Sequence, residues 1–252
     1  MISIIVILLV LLLPARVGHG PSWGTMCRGN LRQLQLAWAM YAGDNHDKLA
    51  QNIASNIGGG HYATTANQAG CQPGQPYASW VLGDANQHDP GFITNGLLYS
   101  YVNRLSVYKC PADVKTNSLL QPTLRSYSMN AWMAGNPAWS SGYVNFMTGA
   151  AINKSMPSSL ALVFVEENPA TINDGYWVQS PGSPTTWLDS PAQYHGGGCN
   201  LSFADGHVGF RKWTDKYILT GSSAQFASDP ASGDLAWVQA RCTVKAPSSA
   251  HD

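Results

Sequence analysis

Apolar residues recur at helical spacing between Met26 and Ala42. Leu31, Leu34, Trp38 and Tyr41 share one face, while Arg28, Arg32 and Gln35 fall elsewhere on the wheel. The pattern predicts an amphipathic helix that stops at Gly43, with Asp44-Asn45-His46-Asp47 as the polar turn beyond it. Upstream, Met1 to Leu13 carries no charge and closes on Pro14, Ala15 and Arg16. As a helix this run is roughly 20 Å long at ~1.5 Å per residue, short of the ~30 Å hydrocarbon core of a bilayer. Two readings stand: a signal-peptide h-region or buried core helix, or the end of a longer membrane helix whose first turns are absent. Neither the basic n-region nor the A-x-A site of a secretory signal accompanies it.

From Gln51 to Gln75 no period is visible, and Gly58-Gly59-Gly60 and Cys71-Gln72-Pro73-Gly74 mark a long surface loop. A short helix is expected within Gly91 to Val102, and a strand over Leu105 to Lys109 before Cys110-Pro111-Ala112-Asp113. Leu160 to Val165 is a continuous apolar run, the signature of a strand buried on both faces, closed by Glu166 and Glu167. Asn200 to Trp213 holds two alternating runs around Asp205-Gly206, a pair suited to the positive φ angles of a tight turn, and predicts a hairpin. Val244 to Asp252 reads as a polar tail. The fold class is α+β: an N-terminal helical unit over 1–43, then a β-rich head over 44–252 with an antiparallel sheet and a hairpin module at 195–213.

Gly (25), Pro (15), Trp (9) and Tyr (11) are plentiful, which suits short strands and many turns. Charged residues are 11% of the 252, with 14 Lys+Arg against 14 Asp+Glu, so no net field draws nucleic acid to the chain. Five cysteines, none in a C-x-x-C pair, argue against a thiolate zinc knuckle; spacing does not assign disulfide partners.

Glu166, Glu167, Asp174, His195, Asp205 and His207 are the candidate metal or catalytic cluster, an oxygen-rich set suited to Ca2+, Mn2+ or Zn2+. Its narrower metal set is Glu167, Asp174, His195 and Asp205. The plainer reading makes Asp205 and Gly206 turn residues, and gives His195 a hydrogen bond that fixes the Gly196-Gly197-Gly198 loop against the hairpin. Glu166 and Glu167 are neighbours on a strand and point to opposite faces, which argues against a carboxylate dyad. No G-x-S-x-G elbow and no phosphate loop is present. Trp80, Trp132, Trp139, Trp177 and Trp187 suit sugar stacking in principle, and core positions first.

Several separated segments resemble one family, the bacterial prepilin-like proteins of the type IV pilin and type II secretion pseudopilin group with an H-x9-DG motif near the C-terminus. His195, nine residues, then Asp205-Gly206 complete that motif, and His207-Val208 continue it. Further similar blocks are C-R-G-N-L-R-Q-L-Q-L-A-W-A-M-Y at Cys27 to Tyr41, V-Y-K-C-P-A-D at Val107 to Asp113, R-S-Y-S-M-N at Arg125 to Asn130 and E-N-P-A-T-I-N-D-G at Glu167 to Gly175. Leu11-Leu12-Leu13-Pro14-Ala15 matches the end of the family's apolar stretch, and its leader and F-T-L-I-E-L start are expected upstream of Met1. The resemblance implies a non-catalytic filament subunit with sister pilin or pseudopilin subunits as partners, an inner-membrane N-terminal helix and a periplasmic or extracellular head. It also implies Ca2+ as the ion if one is bound, and Cys27 and Cys110, inside two of the blocks, as disulfide candidates. The rival expectation is an exported cation-binding hydrolase or carbohydrate-binding domain anchored by its N-terminus.

Overall fold

The computed structural model describes residues 23–54, 65–67, 70–135, 142–220 and 223–247. The amphipathic pattern forms helix α1, Trp23–Asp44. Leu, Gln, Ala, Arg and Met dominate it, all strong helix formers, and Thr25 is its one β-branched residue. Asn45 ends it: the backbone N–H and the side-chain amide both donate to the Tyr41 carbonyl, at 3.0 and 2.8 Å. His46 and Asp47 then turn the chain away in the left-handed region.

The elements that follow are α2 (Gly91–Thr94), α3 (Tyr99–Val102), a 3-10 turn (Leu105–Tyr108), β1 (Tyr127–Asn130) and α4 (Gly149–Ser155). Then come β2 (Leu162–Glu166), β3 (Tyr176–Trp177), β4 (Gly198–Phe203), β5 (Val208–Lys212), α5 (Lys216–Leu219) and α6 (Gly233–Cys242). The strands form one sheet in the order β3-β1-β2-β4-β5. Every residue of β1, β2 and β4 is buried, so both faces of the central sheet are covered, while β5 lies half-exposed at an edge. α1 packs on β4, its buried positions including Cys27, Leu31, Leu34 and Trp38, and the Ser202 hydroxyl of β4 donates to Gln35 of α1 at 2.8 Å. Burying each large apolar side chain there contributes about 1.5–3 kcal/mol.

The fold is α+β, as the sequence predicts, with three differences. The sheet is mixed: β3 runs parallel to β1, and the other pairs are antiparallel. Leu105 to Tyr108 is a 3-10 turn in place of the expected strand, with Val107 and Tyr108 buried. The chain past Val244 is pinned as far as Ala246, whose N–H donates to the Gly142 carbonyl at 2.9 Å. α1 and the sheet share a single hydrophobic core.

The expected inner-membrane location is corrected. Among the described residues no helix is long and apolar enough to cross a membrane. α1 carries Arg28, Asn30, Arg32, Gln33 and Gln35, and its apolar face is already used against the sheet. Met1 to Leu13 and Pro14 lie outside the described residues.

Candidate functional site

The hairpin supplies one wall of the candidate site. β4 begins at Gly198, where β5 passes so close that a Cβ would lie 2.2 Å from the Arg211 carbonyl oxygen. It ends at a turn in which Gly206 takes φ +94. His195 and Asp205-Gly206 therefore sit at opposite ends of β4, about 20 Å of extended chain apart at ~3.3 Å per residue.

At the turn, Asp205 accepts from the His207 backbone N–H at 3.1 Å and meets the His207 ring nitrogen at 2.6 Å. Slight burial works upward on the Asp205 carboxyl, but these bonds outweigh it and hold the group below its usual range. The His207 ring stacks on Phe203, centroids 4.3 Å apart. These contacts close a turn, as the plainer sequence reading expects.

At the other end, His195 reaches the last residue of β2. Its Nε2 lies 3.1 Å from Glu166 Oε1 and 3.6 Å from Cys110 Sγ. The Glu166 side chain is fully buried and also accepts from the Asn200 backbone N–H at 2.7 Å and the Asn200 amide at 3.3 Å. The histidine backbone N–H donates to Gly198 at 3.1 Å, so the residue does fix the glycine loop. Cys27, one turn into α1, and Cys110, just past the 3-10 turn, form a disulfide across 83 residues of sequence, the pair expected from the family blocks. One donor atom from each of Cys27, Cys110, Glu166 and His195 lies within 4.8 Å of the others.

Glu167 points away from this cluster, as strand alternation requires. It accepts from the Thr171 hydroxyl at 2.9 Å. Burial raises its pKa well above the usual value, and the nearby Asp189 and Asp174 carboxylates add to that. Asp174 accepts from the Tyr176 N–H at 2.8 Å. Glu167, Asp174, His195 and Asp205 are thus not brought together. Among the described residues the gathered metal-capable set is Cys27, Cys110, Glu166 and His195, which shares only His195 with the four. Sequence reasoning missed it because its members are separated by 83, 85 and 29 residues and no local spacing marks them. Trp80, Trp132, Trp177 and Trp187 are fully buried core residues with no face for a sugar; Trp139 lies outside the described residues.

The Glu167 side of β2 has a pH consequence. Asp189 accepts from the Val178 N–H at 2.7 Å and Gln225 at 3.3 Å, yet burial pushes its pKa from 3.8 up to about 7. Across that interval the folded chain keeps a proton that the unfolded chain releases, so stability falls as pH rises. Glu167 acts in the same direction, and Lys115, which faces it, is itself only half-buried. Urea denaturation should give a lower unfolding free energy at pH 8 than at pH 5, each tenfold gain in proton affinity on folding being worth about 1.4 kcal/mol. Asp189→Asn should flatten that slope; an unchanged slope would contradict the assignment.

No protein-family model, curated protein or solved structure matches this chain.

Proposed function

We propose that the protein is a non-catalytic, pseudopilin-like or minor pilin-like structural subunit of a type II secretion or type IV pilus-like filament, assembled through α1. The observation that carries this reading is the outward face of α1. Met26, Gly29, Gln33, Leu36 and Met40 fall on one charge-free stripe turned away from the sheet, with Leu36 61% exposed and Met26 and Met40 nearly half so. The arginines stand to one side of the stripe. A second copy of the same helix is the occupant that fits it: the stripe is apolar at both ends, and Gly29 allows close approach. The H-x9-DG and Cys27 to Tyr41 resemblances support the same reading, as does the apolar run Ile2 to Leu13 that precedes the helix in sequence.

Sedimentation velocity of the full chain over a concentration series tests it. Self-association is expected in the native chain, and a Leu36→Glu/Met40→Glu variant should associate at least ~10-fold more weakly, about 1.4 kcal/mol. Both positions face solvent, so the variant's unfolding free energy should stay within about 0.5 kcal/mol of the native value. A native chain that remains monomeric throughout the series would refute the proposal.

A further inference from the structure

We infer that the reduced chain binds a zinc-class divalent cation at Cys27, Cys110, His195 and Glu166, so that disulfide and metal are alternative states of one buried site. The inference goes beyond the filament reading and does not depend on it.

Geometry carries the argument. Zinc bonds of ~2.0–2.3 Å place tetrahedral ligands roughly 3.3–3.8 Å from one another. His195 Nε2 already stands 3.6 Å from Cys110 Sγ and 3.1 Å from Glu166 Oε1, and all four donor atoms lie within 4.8 Å of each other. The remaining donors need shift by no more than about 1 Å to reach that spacing, and the two sulfurs must separate. With their Cα atoms 5.2 Å apart, side-chain rotation suffices once the S–S bond is broken.

The surroundings suit a ligand set. Glu166 is oriented by the Asn200 backbone N–H and amide, so a second rank of bonds holds its carboxylate in place. The His195 side chain is 10% exposed, and a cavity of about 350 Å³ lined by Cys110, Lys109, Asp113 and Leu124 opens beside the disulfide. An ion has a way in. Two sulfurs and an imidazole select zinc or cobalt over calcium, which prefers an all-oxygen shell.

The chemistry balances with a phosphine as reductant. It takes the oxygen of one water to become a phosphine oxide, and the S–S bond accepts the two electrons and both water protons to give two thiols. Metal binding then releases the two thiol protons. In the disulfide state Nε2 carries a hydrogen that it donates to Glu166; in the metal state that hydrogen sits on Nδ1 and the Nε2 lone pair faces the ion.

The test is cobalt titration of the full chain before and after phosphine reduction, followed by zinc displacement. The reduced chain should take up one Co2+ with the visible bands of a tetrahedral site and thiolate-to-cobalt charge transfer, and zinc should erase both. The oxidised chain should show neither. His195→Ala should weaken binding more than about 100-fold, Cys27→Ser should diminish the charge-transfer band, and Cys27→Ser/Cys110→Ser should abolish it. X-ray absorption on the native zinc form, which needs no variant, should give two sulfur and two nitrogen or oxygen ligands. The proposal fails if the reduced chain stays folded without binding, or unfolds and is not recovered by zinc. It fails equally if the signal survives Cys27→Ser/Cys110→Ser, since the metal would then sit on Cys71, Cys199 or Cys242.

Discussion

Serine in place of Cys27, assayed without added metal, is expected to lower the unfolding free energy by about 4 kcal/mol, one of the two largest effects foreseen for this chain. The link to Cys110 closes a loop of 83 residues, and the entropy it removes from the unfolded chain grows with loop length. Both sulfurs are fully buried in the main core, so the introduced hydroxyl adds a desolvation cost to the lost constraint. The bond also fastens α1 to the segment carrying the 3-10 turn. Urea denaturation with one transition in both proteins checks this; a midpoint shift equivalent to less than about 1 kcal/mol would mean that α1 is held by packing alone.

Asp234→Ala is the second large effect, expected to cost about 3–5 kcal/mol. Asp234 opens α6, whose N-cap is Ser232. Its Oδ2 accepts from the Thr214 and Asp215 backbone N–H groups at 2.6 and 2.8 Å and from the Thr214 hydroxyl at 3.0 Å, and its Oδ1 pairs with Arg211 of β5. The Arg211 guanidinium lies over the Trp237 ring of α6, 4.1 Å from its centroid. Burial works upward on the Asp234 carboxyl, but the backbone donors and Arg211 outweigh it and hold the group low. Alanine would leave two backbone donors and a half-covered cation without their acceptor. Thermal or urea denaturation measures the loss, and Asp234→Asn should recover part of it. A loss below about 1 kcal/mol would show that the aromatic contacts alone clamp α6 to the hairpin.

The elements legible from sequence are those whose burial repeats over enough residues to show a period. Leu31, Leu34 and Trp38 announce α1, Leu162 to Val165 announces β2, and Asp205-Gly206 marks the hairpin. β1 and β3 are not legible: they are four and two residues long, and β1 buries Ser128 and Asn130, which read as surface residues in isolation. The Asn130 side-chain nitrogen donates to the distant carbonyls of Leu162 and Cys242, contacts that no local window contains.

The candidate site divides in the same way. Alternation along β2 foretells that Glu166 and Glu167 part company, and the turn chemistry of Asp205 is visible in sequence. That both glutamates are buried is not, because burial there depends on α1 crossing one face of the sheet. The pairing of Glu166 with His195, and of both with the disulfide, follows from register between β2 and β4 and from the seating of α1. Composition suggests oxygen ligands for a metal; the fold gathers sulfur, nitrogen and one carboxylate.

Subunit contact through α1 is tested most directly by cross-linking the full chain with a short bis-maleimide after mixing Met26→Cys and Leu36→Cys proteins. The free cysteines Cys71, Cys199 and Cys242 are buried and should not react in the folded chain. Copies meeting along the stripe should give covalently joined subunits in the mixture, whereas Val114→Cys, 83% exposed on a separate loop, should stay monomeric under the same conditions. If the Met26 and Leu36 variants cross-link no better than the Val114 variant, α1 does not join one copy to the next.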